Sequence, residues 1–212
     1  MTCIELPLEF QTKLIIHIID DEPSVRVSCE FLIESLGFTT NTWESAVEFL
    51  AAVDIFTPAV VLTDLMLPTM SGQELQAHLN AKGSPIALIA LTGNGEIDDA
   101  VAMLKKGAAD YLQKPVSHQK LSTAIDRAQA LTQERTKIYY IQKLYAQLTD
   151  KEKQVANELL QGNLNKIIAD HLDVSIRTVE VHRAQVMKKM QSQHVSELIQ
   201  KLAMLKLQSK LM

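Results

Sequence analysis

Four polar positions in the first half of the chain have the side-chain types needed to accept and hold a phosphoryl group: the acidic pair Asp20–Asp21, the single acid Asp64, the hydroxyl of Thr92 and the ammonium of Lys114. Three carboxylates in one place repel each other and raise their own pKa values unless a cation intervenes. An oxygen-rich acidic cluster suits Mg²⁺, which takes one or two carboxylates, keeps waters and bridges to phosphate. Asp64 is then a nucleophile able to take a phosphoryl group as an acyl phosphate. Lys114 and Thr92 are typed to hold phosphoryl oxygens by charge and by hydrogen bond. Singly, each residue has an ordinary alternative: Asp64 and Thr92 in turns, Lys114 a solvated charge, Asp20–Asp21 a helix N-terminal pair favoured by the dipole. The chemistry therefore depends on a fold that gathers them.

The surrounding pattern predicts such a fold. Apolar runs at 14–19 and 59–63 end at Asp20 and Asp64, and 86–91 ends at Thr92; a weaker strand is expected at 38–43 and a short one at 110–113, before Lys114. Helices are expected between them: from Pro23 to about Leu36, with Val27, Phe31 and Ile33 among its apolar positions; from the capping-box spacing Ser45–Glu48 to about Val53; near 73–81; and over 96–106. Five strands alternating with helices argue for a parallel sheet with helices on both faces. In such sheets ligands bind at the carboxyl ends of the strands, where all four positions fall. No glycine-rich phosphate loop follows the first strand, which leaves nucleotide binding with little support. Cys29 reads as a packed free thiol, and Cys3 and Cys29 match no metal spacing.

Ile18–Ile19–Asp20–Asp21–Glu22, the run from Thr63 to Gly72, Leu91–Thr92–Gly93–Asn94–Gly95 and Lys114–Pro115 together resemble the signature of a two-component receiver domain, over roughly residues 13–130. The resemblance implies a flavodoxin-like fold in which a partner sensor histidine kinase phosphorylates Asp64. It implies that Asp21 and Asp64 bind Mg²⁺ directly with the Met66 carbonyl, Asp20 assisting, and that Thr92 and Tyr111 form a switch pair. Met66 departs from close relatives, which often carry arginine there.

No Gly or Pro occurs from Ser117 to Leu148, which predicts one long helix continuing beyond the sheet as a linker over 131–147. Leu131, Ile138 and Tyr145 repeat at heptad spacing, as do Ile141 and Leu148, although Glu134 interrupts the stripe. Such a stripe either pairs two copies of the chain or rests on a following domain.

Charge divides the chain. Residues 1–130 hold 8 Lys and Arg against 17 Asp and Glu, a net of −9, whereas 131–212 hold 13 against 8, a net of +5. The basic part suits a polyanion. Thr149–Glu152 has capping-box spacing, Gly162 ends that helix, 165–172 make a short second helix, and Ser175 caps a third through about Met190, the arrangement of a helix-turn-helix. At about 100° per residue, Ile176, Val179, Val186, Met187 and Met190 share the core side. Arg177, Val181, Ala184, Gln185 and Lys188 lie opposite, flanked by Thr178 and Lys189, and His182 and Arg183 fall nearer the buried flank. Basic residues can meet phosphates while Val181 or Ala184 touches a thymine methyl, although a solvated face has the same composition.

Leu148–Thr149–Asp150–Lys151–Glu152, the run from Gly162 to Ala169 and Thr178–Val179–Glu180–Val181–His182–Arg183 resemble the LuxR-type DNA-binding domain, over about 143–207. That resemblance places Glu180, Val181 and Ala184 toward bases and Lys166, Thr178 and Arg177 near phosphates. A last helix, 195–206, packs the domain or pairs two copies on DNA.

The expected organisation is an N-terminal tail (1–12), an α/β receiver of five parallel strands (13–130), a linker helix (131–147), an all-α four-helix domain (148–207) and a C-terminal tail (208–212). The whole resembles the NarL/FixJ class of response regulators, which implies not an enzyme but a transcription factor, expected to be an activator, that binds double-stranded DNA as a homodimer when phosphorylated, with RNA polymerase a further partner. Hydrophobic content of 47% with 22% charge, no apolar run near ~20 residues and no signal-peptide pattern argue for a cytoplasmic protein without a membrane partner. Two rivals come from other classes. An aspartyl-phosphate phosphatase needs a second acid two residues after its nucleophile, where this chain has Met66, and an RNA-binding output is disfavoured by the tight turn and groove face.

Overall fold

The computed structural model of the chain describes residues 6–7, 10, 13–93 and 97–208. The expected tails, Cys3 and the Asn94–Gly95 end of the third motif fall largely or wholly outside these residues. Two compact units meet within one helix, between Thr136 and Lys137.

In the first unit β1 (Ile15–Ile19), β2 (Thr39–Trp43), β3 (Ala59–Asp64), β4 (Ala87–Thr92) and β5 (Asp110–Gln113) form one parallel sheet in the order β2-β1-β3-β4-β5. Every residue of β3 and β4 is buried, as expected for central strands covered on both faces. Alternation along the strands sends Ile16, Ile18, Val60, Leu62, Ile89 and Leu91 to one core, against α1 (Pro23–Ser35) and the start of α5 (His118–Ala146). Ile19, Val61, Leu88 and Ala90 go to the other, against α2 (Ala46–Ala52), α3 (Gly72–Lys82) and α4 (Ile97–Lys105). Strand order reverses around β1 and β3, so the crevice falls beyond their carboxyl ends.

Helix starts follow from capping chemistry. Ser71 and Glu74 satisfy each other's backbone N–H groups in a full capping box. At the expected Ser45–Glu48 box only half forms: Ser45 accepts from the Glu48 N–H, while the Glu48 carboxylate reaches Glu44 instead. On α1 the buried face is Val25, Cys29, Leu32 and Ile33, with Cys29 a free, buried thiol, whereas Val27 and Phe31 are 63% and 72% exposed.

His17 is buried beside Trp43 and Phe49, and its Nδ1 accepts from the Trp43 indole at 3.1 Å. Burial lowers its pKa from 6.5 to about 4. A depressed folded-state value means that stability is fully present above pH 6.5 and is lost as pH falls toward 4, by about 3 kcal/mol. Protonation would also place a hydrogen where the indole N–H now points. Denaturant titrations across this window are expected to show that loss, and His17→Gln is expected to flatten it; an equally steep variant would assign the loss elsewhere.

The second unit holds the end of α5 with α6 (Asp150–Leu160), α7 (Asn165–Leu172), α8 (Ile176–Lys189) and α9 (Val195–Gln208). The Thr149–Glu152 capping box forms as expected, Asp173 takes the left-handed conformation in the turn at φ 52°, and Ser175 caps α8 through the Thr178 N–H. Val155, Ala156, Leu159, Ile168, Val179, Val186, Met190, Leu198 and Leu202 are buried. Ile176 departs from its expected core position at 46% exposed, because it stands in the first turn of α8, and Met187 is half-buried. The heptad stripe does not form an open seam: Leu131 packs on the core of the first unit, and Ile141 and Leu148 are buried within the chain, with Ile138 and Tyr145 half-buried. Among the described residues no helix is long and apolar enough to cross a membrane.

Candidate functional site

β1 delivers Asp20 and Asp21, β3 delivers Asp64, and the segment leaving β5 delivers Lys114. Carboxylate oxygens of Asp20, Asp21 and Asp64 lie within 4.8 Å of one another. Asp20 is fully buried, Asp64 is 8% exposed and Asp21 is exposed at the rim. The Lys114 ammonium lies 2.7 Å from Asp20 Oδ2 and contacts Asp64 Oδ2.

The charges are strongly coupled. Burial pushes the Asp20 carboxyl above the usual range, with Asp64 adding repulsion, while the Lys114 bond and the Glu22 N–H pull the other way. Burial also works against the Lys114 charge, but hydrogen bonds and attraction from Asp20 and Asp64 outweigh it and raise its pKa. One ammonium thus neutralises part of a three-acid cluster. Among the described residues the buried Asp20 Oδ2 has this Lys114 contact and no other polar partner. Three converging carboxylates and such an oxygen fit a hard divalent cation, which oxygen ligands favour.

Backbone contacts fix Asp64. Its Oδ1 accepts from the Met66 N–H at 2.8 Å, and the Met66 side chain is 67% exposed at the rim. Gly72 packs so tightly behind it that a Cβ there would stand 2.6 Å from the Asp64 carbonyl oxygen. This close approach is why the first residue of α3 has no side chain. Arg26 supports the opposite wall by donating to the Asp20 carbonyl at 2.6 Å while pairing with Glu44. Sequence reasoning gave neither Gly72 nor Arg26 this role; the loop glycine after Asp64 was the available signal for the first, and nothing local marks the second.

Thr92 is buried at the end of β4, and its hydroxyl points to the Leu112 carbonyl at 3.5 Å, a weak bond on the side of β5. Tyr111 lies one strand over and is 36% exposed, along a cleft also lined by Lys120 and Arg127. Arg127 pairs with Asp110 at 2.8 Å.

In the second unit Arg177, Glu180, Val181, Ala184, Gln185 and Lys188 are exposed on α8, and Lys166 is exposed in the first turn of α7. Thr178 is half-buried with its hydroxyl 2.8 Å from that of Ser175. Arg183, on the buried flank as expected, donates to Asn165 at 2.9 Å and so ties α8 to the start of α7. Lys189 is not a free flank of the groove face: its ammonium sits 2.7 Å from Glu152, which is itself buried at the start of α6. These exposed groups form a surface of the type that meets a nucleic-acid groove: bases to phosphates, small and amide side chains to base edges.

Comparison with known proteins agrees with both halves. Residues 16–126 match the response regulator receiver domain, and residues 146–202 match the luxR family of bacterial regulatory proteins. The tetrathionate response regulatory protein TtrR of Salmonella typhimurium is 40% identical over 186 residues, 88% of this chain and 90% of that protein. The transcriptional regulatory protein FixJ of Bradyrhizobium diazoefficiens is 37% identical over 192 residues, 89% of this chain and 94% of that one. Among solved structures, response regulator StyR aligns over 91% of this chain and 99% of its own, with a TM-score of 0.63 at 32% identity. Full-length FixJ from B. japonicum aligns over 92% and 98%, with a TM-score of 0.53 at 35% identity. The chain belongs to the two-component response regulators that join a receiver domain to a LuxR-type DNA-binding domain.

Proposed function

We propose that Asp64 is the phosphoacceptor of this response regulator and that its phosphorylation by a sensor histidine kinase gates sequence-specific binding to double-stranded DNA, promoting transcription. The observation that carries this reading is the cluster of three acids and one lysine at the strand ends. An Asp64 carboxylate oxygen attacks phosphorus, the phosphorus–nitrogen bond to the donor histidine breaks, and an acyl phosphate remains. Asp20, Asp21 and Asp64, with the Met66 carbonyl, would hold Mg²⁺, which would supply positive charge to offset the carboxylates and the phosphoryl oxygens. Lys114 exchanges its contact with Asp64 for the new phosphoryl oxygens. The Thr92 hydroxyl leaves Leu112 for the same group, and Tyr111 turns in from its exposed position.

In the second unit Lys166, Arg177, Thr178 and Lys188 meet phosphates, while Glu180, Val181, Ala184 and Gln185 face base edges. Phosphorylation shifts the population toward a DNA-binding homodimer, which engages RNA polymerase in the cytoplasm.

The test is selection of random-library DNA by purified protein, with sequencing, before and after acetyl phosphate plus Mg²⁺. Enrichment of a repeat only after treatment supports the gated switch. Equal enrichment in both samples removes phosphorylation as the gate, and none in either removes DNA as the target.

A further inference from the structure

Residues 127–145 lie between the two family matches, and within them α5 makes a set of contacts that the phosphorylation chemistry does not use. At the end of the sheet opposite the acidic cluster, the Thr132 hydroxyl donates to the Ala59 carbonyl at 3.0 Å and accepts from the Ala87 N–H at 3.2 Å, bridging the first residues of β3 and β4. One turn later the Arg135 guanidinium forks: Nη1 donates to the Ile86 carbonyl and Nη2 to the Gly107 carbonyl, each at 2.7 Å. A Cβ on Gly107 would stand 3.2 Å from Nη2. Space and backbone geometry at the turn are thus both fitted to this side chain.

The two carbonyls mark the two sides of the switch region. Ile86 leads into β4, which ends at Thr92; Gly107 follows α4 and leads into β5, which carries Tyr111. A planar guanidinium has its N–H groups at fixed angles and satisfies both acceptors at only one separation. A flexible ammonium has no such constraint. Any shift of α4 and β5 against β4 therefore either breaks one of these partly buried bonds or moves Arg135, and α5 with it. Losing either bond leaves a partly buried carbonyl without this partner, which biases a two-state element. Within the second unit the same continuous helix holds Tyr140, whose hydroxyl donates to Gln191, just past the end of α8.

We propose that Arg135 is the positioning residue that couples the state of the β4–α4–β5 switch region to α5, and through Tyr140 and Gln191 to the recognition helix α8. The inference rests on the reading of Asp64 as the phosphorylated residue.

The test uses the full chain as wild type, Arg135→Lys and Arg135→Gln, each treated with acetyl phosphate and Mg²⁺. Phosphoryl uptake is followed by intact mass, and affinity for the selected DNA is measured before and after. Uptake is expected to be equal in all three proteins, while the gain in affinity on phosphorylation falls on the order of tenfold in both variants. A merely structural role would lower thermal stability without changing the ratio of the two affinities. A full gain in both variants, or rescue by lysine alone, overturns the bridge between two carbonyls. Should the glutamine variant fail to fold, the lysine variant decides. Absence of uptake or of any gain in the wild-type protein is a distinct result: it removes the phosphorylation gate, and the coupling with it.

Discussion

Asp64→Asn is expected to abolish phosphoryl uptake from acetyl phosphate completely, while the variant stays folded and still adds no mass after long incubation with Mg²⁺. The substitution keeps the acceptor oxygen that receives the Met66 N–H at 2.8 Å, and it replaces a carboxylate by an amide of nearly the same shape. What disappears is the nucleophile, because an amide oxygen forms no stable acyl phosphate. A loss of this kind exceeds any effect of the surrounding groups, which act by charge and hydrogen bonding and contribute on the order of 10²–10³ each. Stability should move little or upward, since one carboxylate leaves a cluster of three whose oxygens lie within 4.8 Å and in which one ammonium serves both Asp20 and Asp64. Continued incorporation by the variant would place the acceptor elsewhere and sink the assignment. DNA selection on the same variant adds a second check: the enriched repeat should not depend on acetyl phosphate.

The sheet and the acid cluster were legible because both depend on short-range signals. Residues 59–63 form a β-branched apolar run too short for a helix, and each such run ends at a polar residue of the cluster. Parallel topology then carries those ends to one side without further information. Strand limits shifted by a residue, as at β4, where Ala87–Thr92 replaced the expected 86–91. Helix faces were legible where the periodicity was followed through. Val25, Cys29, Leu32 and Ile33 recur at helical spacing, and Val27 and Phe31 lie about 200° away from that face, which is the physical reason they are exposed.

The rest depends on neighbours distant in sequence. Lys189 looks like a groove-flanking cation until Glu152, on another helix, takes its charge. Arg135 looks like a solvated residue of a linker until Ile86 and Gly107 present their carbonyls to it. The heptad stripe has the spacing of a dimer seam, but Ile141 and Leu148 are consumed inside the chain. Periodicity fixes which residues share a face; it does not say what covers that face.

Lys114→Met tests the electrostatics of the cluster rather than its nucleophile, and its effect should weaken as pH falls and as Mg²⁺ is added. At neutral pH the variant leaves Asp20, fully buried, and Asp64 without their cation, and breaking a buried pair in this way costs about 3–5 kcal/mol. The sign of the pH dependence follows from Asp20, whose carboxyl burial already raises with Lys114 present and which must rise further without it. A carboxyl with a raised folded-state pKa contributes stability that is present below its unfolded value and is lost as pH rises through the folded one. The deficit of the variant should therefore shrink as the solution is acidified from neutrality toward the ordinary aspartate range. Divalent cation offers a second route to the same relief, because an ion bound to Asp20, Asp21 and Asp64 replaces the missing positive charge and stabilises the folded state by mass action. Mg²⁺ is accordingly expected to raise the unfolding midpoint of the variant more than that of the wild-type protein, in which the ammonium competes for the same oxygens. Denaturant titrations at two pH values, with and without Mg²⁺, separate these terms. A deficit that stays constant across both variables would mean that Lys114 acts by packing alone and that the three acids do not form one electrostatic unit.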